Sequence, residues 1–328
     1  MKGKITACVL LCVLLTSTGT DLWSMGLARI RESFSGVSLS QGELPETEEE
    51  STGPILETLL YFRFLDTGYL GMEKIGLDLG HEETVATAIV ERLIAGPDAD
   101  HPLLSGVFPE GTRLLSATSD GQTAYITLSV DFLGKPTGAP ENWEDLEEWQ
   151  QEAALRRRLA LQSIVLALTE QARVQRVQLY VAQTDDDVPQ RLPLAWFDSG
   201  ITDLQTYLGA CGRDEGIALT VKNSVKLALE SWQQKKWAQL YRLMQGMQTG
   251  QEEFVRTMEE RGVDLISFSL SDGILSADVQ RATLVLDAEI QTATGERTRI
   301  ERESILLECI QDNWMLSGGT LDRLMIRD

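Results

Sequence analysis

The sequence predicts an α+β protein, in which a small α/β sandwich is followed by a domain of helices and a curved antiparallel sheet. Two observations predict this class. Runs with apolar residues at alternate positions, typical of strands, occur together with runs that repeat apolar residues every three to four positions, typical of helices. The order of these runs also changes near residue 210, where interspersed strands and helices give way to helices followed by three long strands.

The composition is that of a folded, acidic chain. Its 328 residues are 43% hydrophobic and 24% charged, and the formal net charge at pH 7 is -21. Nucleic-acid binding relies on clustered Lys and Arg, and anionic membranes attract basic segments, so this charge disfavours both partners. We expect no nucleic-acid partner, and membrane association only through the N-terminus if at all.

Residues 1–19 have the pattern of a signal peptide. Lys2 and Lys4 precede an apolar run from Ile5 to Leu15, which is too short to span a bilayer, and small residues follow it. No cysteine follows a small residue at the end of this run, so the attachment site of a lipoprotein is missing there. We expect an extracytoplasmic protein, secreted or attached to the outer face of the cytoplasmic membrane of a bacterium.

Residues 20–54 have the composition of an acidic tether. The run ELPETEEE places five acids within eight residues, and their mutual repulsion extends the chain. A specific acidic docking peptide is the alternative interpretation.

The first predicted domain covers residues 55–200 and is organised around a β-hairpin. Its elements are a strand at Ile55–Phe64, a segment Leu70–Leu79 that pairs with it or precedes a second short strand, a helix at His81–Ile94, the hairpin Thr112–Val130, a helix at Trp143–Gln171 and a closing strand at Val174–Val181. The hairpin turns at Ser119-Asp120-Gly121, where Gly can adopt a positive φ.

Alternation in the second hairpin strand predicts which side chains face the core. Ile126 and Leu128 are expected to pack against Ile164 and Leu168, which belong to a single apolar stripe of the long helix. Thr127 is expected to face solvent on the opposite side.

Residues 201–216 are expected to form a linker, and residues 217–328 a second domain. Helices are predicted at Val221–Met247 and Glu252–Arg261, and strands at Asp264–Leu270, Leu275–Ala293 with a break near Asp278, and Arg297–Ile310. Helices followed by a meander of long strands indicate a sheet folded over helices.

The runs GPDADHPLLSGVFPEGTRLLSATSDGQTAYITLS and QSIVLALTEQARVQRVQLYV resemble the GerM domain, the sporulation and spore-germination domain of bacterial envelope proteins. The similarity covers roughly Leu56 to Ala182. One departure is that Thr127 stands where the family commonly has an acid. The resemblance implies a non-catalytic extracytoplasmic protein that docks onto other envelope or sporulation proteins, and an oligomer or ring.

The second half resembles the cone-shaped folds related to nuclear transport factor two, through ESWQQKKWAQLYRLM, RATLVLDAEI and ILLECIQDNWMLS. Domains of this type often enclose an apolar pocket. The alternative function is therefore a binding module for a cell-wall fragment or small apolar ligand in this half.

We expect no enzyme activity, no cofactor and no metal site. His81 and His101 are the only histidines, and no catalytic motif accompanies them. The run Asp185–Asp187 lacks the spaced acids and the Gly of a calcium loop. Beyond the signal peptide only Cys211 and Cys309 remain, and either a disulfide or two free thiols fits them.

Candidate partner-binding residues are Arg156, Arg157, Arg158, Tyr125 and Thr127. The three consecutive arginines stand out in an acidic chain and could hold an anionic group. The alternative is ordinary pairing on a solvated helix face, since a glutamate lies four residues before the first of them.

Overall fold

The structure is a computed structural model that describes residues 55–79, 84–171 and 174–325. The predicted signal peptide, the acidic tether and His81 lie outside the described residues. The described residues belong to one compact unit, Thr52–Asp328. The division into domains at residues 55–200 and 217–328 stays a prediction.

Helices and strands alternate in the first half and separate in the second. The strands are β1 Ile55–Phe64, β2 Leu70–Asp78, β3 Leu104–Ser105, β4 Leu114–Ser119, β5 Thr123–Ser129, β6 Arg176–Ala182, β7 Gln190–Arg191, β8 Met244–Gln245, β9 Asp264–Leu270, β10 Ile274–Leu275, β11 Arg281–Gln291, β12 Arg297–Ile310 and β13 Asn313–Ser317. The helices are α1 Val85–Ala95, α2 Glu147–Gln171, α3 Val221–Gln233, α4 Trp237–Arg242, α5 Gln251–Arg261 and α6 Gly318–Met325. The predicted α+β class is confirmed.

Several predicted boundaries shift because of local backbone chemistry. Helix α1 begins later than predicted, at the point where the Thr84 side chain accepts a hydrogen bond from the Thr87 N–H and caps the helix. The single helix predicted over Val221–Met247 is divided into α3 and α4. Lys235 has a φ of 56° at the break, a conformation that no helix interior accommodates.

The first half contains two sheets with α2 between them. Strands β2, β1 and β3 form one antiparallel sheet, and β4, β5, β6 and β7 form the other, in which β5 and β6 are parallel. Helix α2 packs against β1 on one side and β6 on the other. Residues 159–168 are therefore all buried, so the predicted single stripe was too narrow a description of this helix.

The hairpin turn is built as its sequence predicts. The Asp120 carboxylate accepts hydrogen bonds from the backbone N–H groups of Gln122 and Thr123, and Gly121 has a φ of 92°. Ile126 and Leu128 are completely buried, as predicted. The alternate apolar side chains of β5 therefore face the core, as the sequence pattern predicts.

The expectation that Thr127 faces solvent is wrong, since its exposed fraction is only 6%. The chain that crosses over after β7 covers this second face. Gln178, which lies beside Tyr125 in the β5–β6 register, donates a side-chain hydrogen bond to the Leu208 carbonyl at 3.2 Å. The β5–β6 pair is therefore buried on both faces.

The second half is a bent antiparallel sheet over helices. Its strand order is β10-β11-β12-β13-β8, with β9 also paired to β11 and only β13–β8 parallel. Alternate residues of β11 are buried, and register shifts interrupt its pairing near Ala288 and Ile290, which bends the strand. The predicted helix-plus-curved-sheet arrangement is confirmed.

Backbone and side-chain hydrogen bonds join the two halves at β2. Leu70 exchanges hydrogen bonds with Ile217 and Leu219 at 2.9 and 2.8 Å. The buried Asn313 side chain accepts from the Met72 N–H and donates to the Met72 carbonyl, both at 2.9 Å. The amide thus occupies the place of a neighbouring strand.

Candidate interaction surfaces and a candidate binding groove

The first of the three predicted arginines is part of a partly buried ion cluster. Arg156 Nε donates to Glu152 Oε1 at 2.7 Å, the predicted i,i+4 pair. The same carboxylate pairs with Arg63, a residue of β1 whose exposed fraction is 4%. Burial opposes ionisation of Glu152, but the hydrogen bonds from both arginines hold its pKa below the usual value. This cluster fastens α2 to β1.

Arg158 points elsewhere and stays exposed. It pairs with Asp214, in the segment that leads into the second half, with an N–O distance of 3.1 Å. Exposed pairs of this kind contribute little stability.

Arg157 differs from its two neighbours because no described carboxylate forms an ion pair with it. Its Nη2 donates to the Leu133 carbonyl at 3.0 Å, and its guanidinium lies 6.0 Å from the centre of the Trp143 ring. Burial lowers the pKa of Arg157, while the more distant charge of Glu144 opposes that shift. A cation is thus held in a partly desolvated place without a directly bound anion.

Arg157 lines an open groove of about 480 Å³. Trp143 and Trp196 contribute to its walls and are half-buried, whereas Ala153 and Ala154 are buried beneath it. Small buried residues let a ligand approach the helix closely, and aromatic walls offer apolar area with little loss of side-chain entropy. The groove combines these walls with charge.

The other two predicted partner-binding residues lie apart from the arginines. The Tyr125 hydroxyl donates to Asp120 Oδ2 at 2.8 Å near the hairpin turn, and this hydrogen bond raises the pKa of Tyr125. Thr127 is buried. Within the described residues, no hydrogen bond or ion pair connects either of them to the arginines.

An exposed apolar face, not predicted from the sequence, lies on the outer side of the second sheet. Ile274 of β10 and Leu306 of β12 both stand opposite Thr283 of β11 in the strand register, so the three side chains share one face. Ile274 is 77% exposed and Leu306 38%. We call Ile274, Thr283 and Leu306 the outer face.

Three tryptophans of the second half belong to its core. Trp232 is 1% exposed, and its indole N–H donates to the Val263 carbonyl at 2.8 Å. Trp237 and Trp314 are buried as well. These rings are therefore part of the packed core of the second half.

The part of the chain that the structure describes contains neither a metal-binding cluster nor a disulfide. No group of three or more His, Cys, Asp or Glu side chains could hold a metal ion there. Cys211 and Cys309 are both free and half-buried, so they do not pair with each other. Over the same residues, no helix combines the length and the apolar content that crossing a membrane requires.

A buried carboxylate, which the sequence did not predict, lies at the junction of the halves. Glu73 of β2 has no exposed side-chain area, and burial raises its pKa. Arg92 lies 3.4 Å from it and His101 Nδ1 3.9 Å from it, while His101 Nε2 lies 4.0 Å from Asp312. The alternating pattern of β2 is the one sequence signal that could have placed Glu73 inside.

The fold defines the first half as a two-sheet α/β domain of the kind that the sequence resemblance implies. The family described as "Germane: Sporulation and spore germination" matches residues 60–187, less than half of the chain. The predicted resemblance to this family is confirmed over that segment.

Solved structures show weaker likeness. The tandem GerMN domains of the sporulation protein GerM from Bacillus subtilis are 17% identical, and the alignment covers 47% of this chain and 50% of that chain, with a TM-score of 0.28. A putative lipoprotein from Clostridium perfringens is 18% identical over 40% of this chain and 76% of that one, with a TM-score of 0.24.

An NTF2-like protein of unknown function from Cytophaga hutchinsonii is 13% identical, with 30% of this chain and 88% of that chain covered and a TM-score of 0.22. The two folds named from the sequence thus both occur among the similar structures, but TM-scores this low carry no functional argument. No curated protein matches the sequence.

Proposed function

We propose that this chain is a non-catalytic protein of the bacterial cell envelope, which docks onto other extracytoplasmic proteins during sporulation or spore germination. The family match over residues 60–187 supports the biological process. The signal-peptide pattern of residues 1–19 supports the location. The outer face supports docking, and it is the observation that carries the proposal.

The outer face has the properties of a docking surface rather than of a chance exposure. Large apolar side chains on a soluble protein are normally scattered singly. Here Ile274 and Leu306 are aligned across β10, β11 and β12 on one exposed face. Further exposed apolar area comes from Val279, in the turn before β11, and from Ile310, at the end of β12. The two segments are adjacent, since the Gln280 carbonyl accepts a hydrogen bond from the Cys309 N–H.

The charges around the outer face favour a protein partner that is not strongly acidic. The exposed Arg281 and the half-buried Glu308 lie opposite one another two residues further along β11 and β12, with N–O atoms 4.0 Å apart. A polar rim around an apolar centre is typical of protein interfaces. With a formal net charge of -21, the chain as a whole repels acidic partners and further copies of itself at low salt.

A pull-down of cross-linked partners from sporulating cells tests the proposal. The double variant Ile274→Asp/Leu306→Asp places two charges on the outer face and should lose the partner that the unchanged chain recovers. The matched control, Ser267→Asp/Ser269→Asp, places two charges on exposed positions of β9 in the same sheet and should keep that partner. Circular dichroism should show that both variants fold. Equal recovery with both variants would contradict docking through the outer face.

A further inference from the structure

The groove beside Arg157 carries two opposite charges that do not neutralise each other. Glu144 lies on the same groove as Arg157, and the two form no ion pair within 4 Å. Glu144 is exposed, and no described residue donates a hydrogen bond to its carboxylate. A ligand between them can therefore meet a cation on one side and an anion on the other.

The two tryptophans in the groove walls also have hydrogen-bond donors without a partner among the described residues. Neither Trp143 nor Trp196 donates its indole N–H to another described residue, and both rings are half-buried. Tryptophan buried in a core normally satisfies this donor, as Trp232 does through the Val263 carbonyl. The two half-buried rings can therefore pack against an apolar part of a ligand, and their N–H groups can donate hydrogen bonds to its polar part.

We propose that this groove binds a small zwitterion with an apolar side chain, namely a free α-amino acid or a short peptide. Its carboxylate pairs with Arg157, and its ammonium pairs with Glu144. Its side chain lies between Trp143 and Trp196 above Ala153 and Ala154. A guanidinium presents a planar fork of N–H donors that suits a carboxylate. A neutral ligand would form weaker hydrogen bonds with this fork.

The acid also discriminates between ligand classes. A ligand with only negative charge would place it near Glu144 and lose part of the attraction to Arg157. A zwitterion satisfies both groups, so the proposed site prefers it to a purely anionic molecule. An amino acid and a dipeptide share the required groups and differ in how far apart they are.

Titration calorimetry of the full-length chain with L-leucine and with L-leucyl-L-leucine tests the proposal. Each is compared with N-acetyl-L-leucine, which lacks the ammonium, and with L-leucinamide, which lacks the carboxylate. Saturable binding of at least one zwitterion is expected. Removal of the carboxylate, which meets the partly buried Arg157, should weaken binding by about tenfold or more. Removal of the ammonium, which meets the exposed Glu144, should weaken it by about two- to fivefold. The tighter of the two zwitterions identifies the class.

Variants locate the binding. Glu144→Gln should weaken binding of the preferred zwitterion by about two- to fivefold but leave the affinity for N-acetyl-L-leucinamide, which carries no charge, unchanged. Glu148→Gln, an exposed acid of α2 that does not line the groove, should leave all affinities unchanged. Arg157→Lys should weaken binding while it retains the charge, because the planar fork is lost.

Three results would overturn the proposal. These are no saturable binding of either zwitterion at millimolar concentration, equal affinity for the single-charge analogues, and equal affinity of the Glu144→Gln variant. The ligand analogues change no residue, so they decide the question even if the Arg157 variant fails to fold. The docking proposal stands or falls separately, because it rests on the outer face.

Discussion

Substitution of Thr127 by Asp tests the burial of both faces of the hairpin strand. Thr127 is 6% exposed, so an aspartate there would lose most of its water. The two side chains are similar in size, and no cavity contributes to the effect. The cost therefore comes from desolvation of a charge.

The magnitude follows from the pKa of the new carboxyl. Burial raises the pKa of an aspartate above its usual value of about 3.9, by up to about 3 to 5 units when burial is complete. Each unit costs about 1.4 kcal/mol at a pH above both values. With a rise of about two to three units, Thr127→Asp should lower the free energy of unfolding by about 3 to 4 kcal/mol at pH 7.

Urea denaturation followed by circular dichroism at pH 7 and pH 4 measures the effect. Thr118→Asp, on the exposed edge strand β4 of the same hairpin, is the matched control and should change stability by about 0.5 kcal/mol or less. The folded-state carboxyl at position 127 stays protonated to higher pH than in the unfolded chain, so its cost should be smaller at pH 4 than at pH 7. Equal effects of both substitutions at pH 7 would show that the crossover does not cover this face.

Further predictions concern the core, the ion cluster and the junction. Leu128→Ala should cost about 2 to 5 kcal/mol in urea denaturation through lost burial and a cavity, and a cost below about 1 kcal/mol would contradict the complete burial of this side chain. Arg63→Leu should cost about 3 to 5 kcal/mol because it leaves Glu152 partly buried without its main partner, whereas Arg158→Leu should cost at most about 1 kcal/mol; similar values would refute the distinction. Asn313→Ala should cost about 1 to 3 kcal/mol, since both backbone groups of Met72 lose their partner, and unchanged thermal stability would contradict that role. Glu73 has a raised pKa, so its protonated form adds stability that is present below the unfolded pKa and is lost as pH rises through the folded pKa; Glu73→Gln should flatten this part of the stability–pH profile, and an unchanged profile would exclude Glu73 as its source.

Local chemistry explains which elements could be predicted from the sequence. The bounds of β1, β9 and β12 were predicted because runs rich in apolar residues end at turn-forming residues on each side. The hairpin turn was predicted because Asp120 and Gly121 make their contacts within a few residues of one another. Such signals need no knowledge of the rest of the chain.

Contacts between distant segments explain what the sequence could not predict. The burial of Thr127 depends on a crossover some 80 residues further on, as the bond between Gln178 and Leu208 shows. The groove brings together Trp143, Arg157 and Trp196 from three separate segments of the chain, and no spacing rule connects them. Among the three arginines, the sequence predicted that Arg156 pairs with a glutamate. It did not predict that Arg157 forms no ion pair with a described carboxylate.

Site-specific photo-crosslinking in sporulating cells tests the docking proposal most directly. A photoreactive phenylalanine analogue replaces Leu306 on the outer face in one strain and Ser269 on β9 in another. The proposal predicts an adduct with one extracytoplasmic protein from position 306, and none from position 269. Adducts with that protein from position 269 alone, or no adduct from position 306, would contradict it.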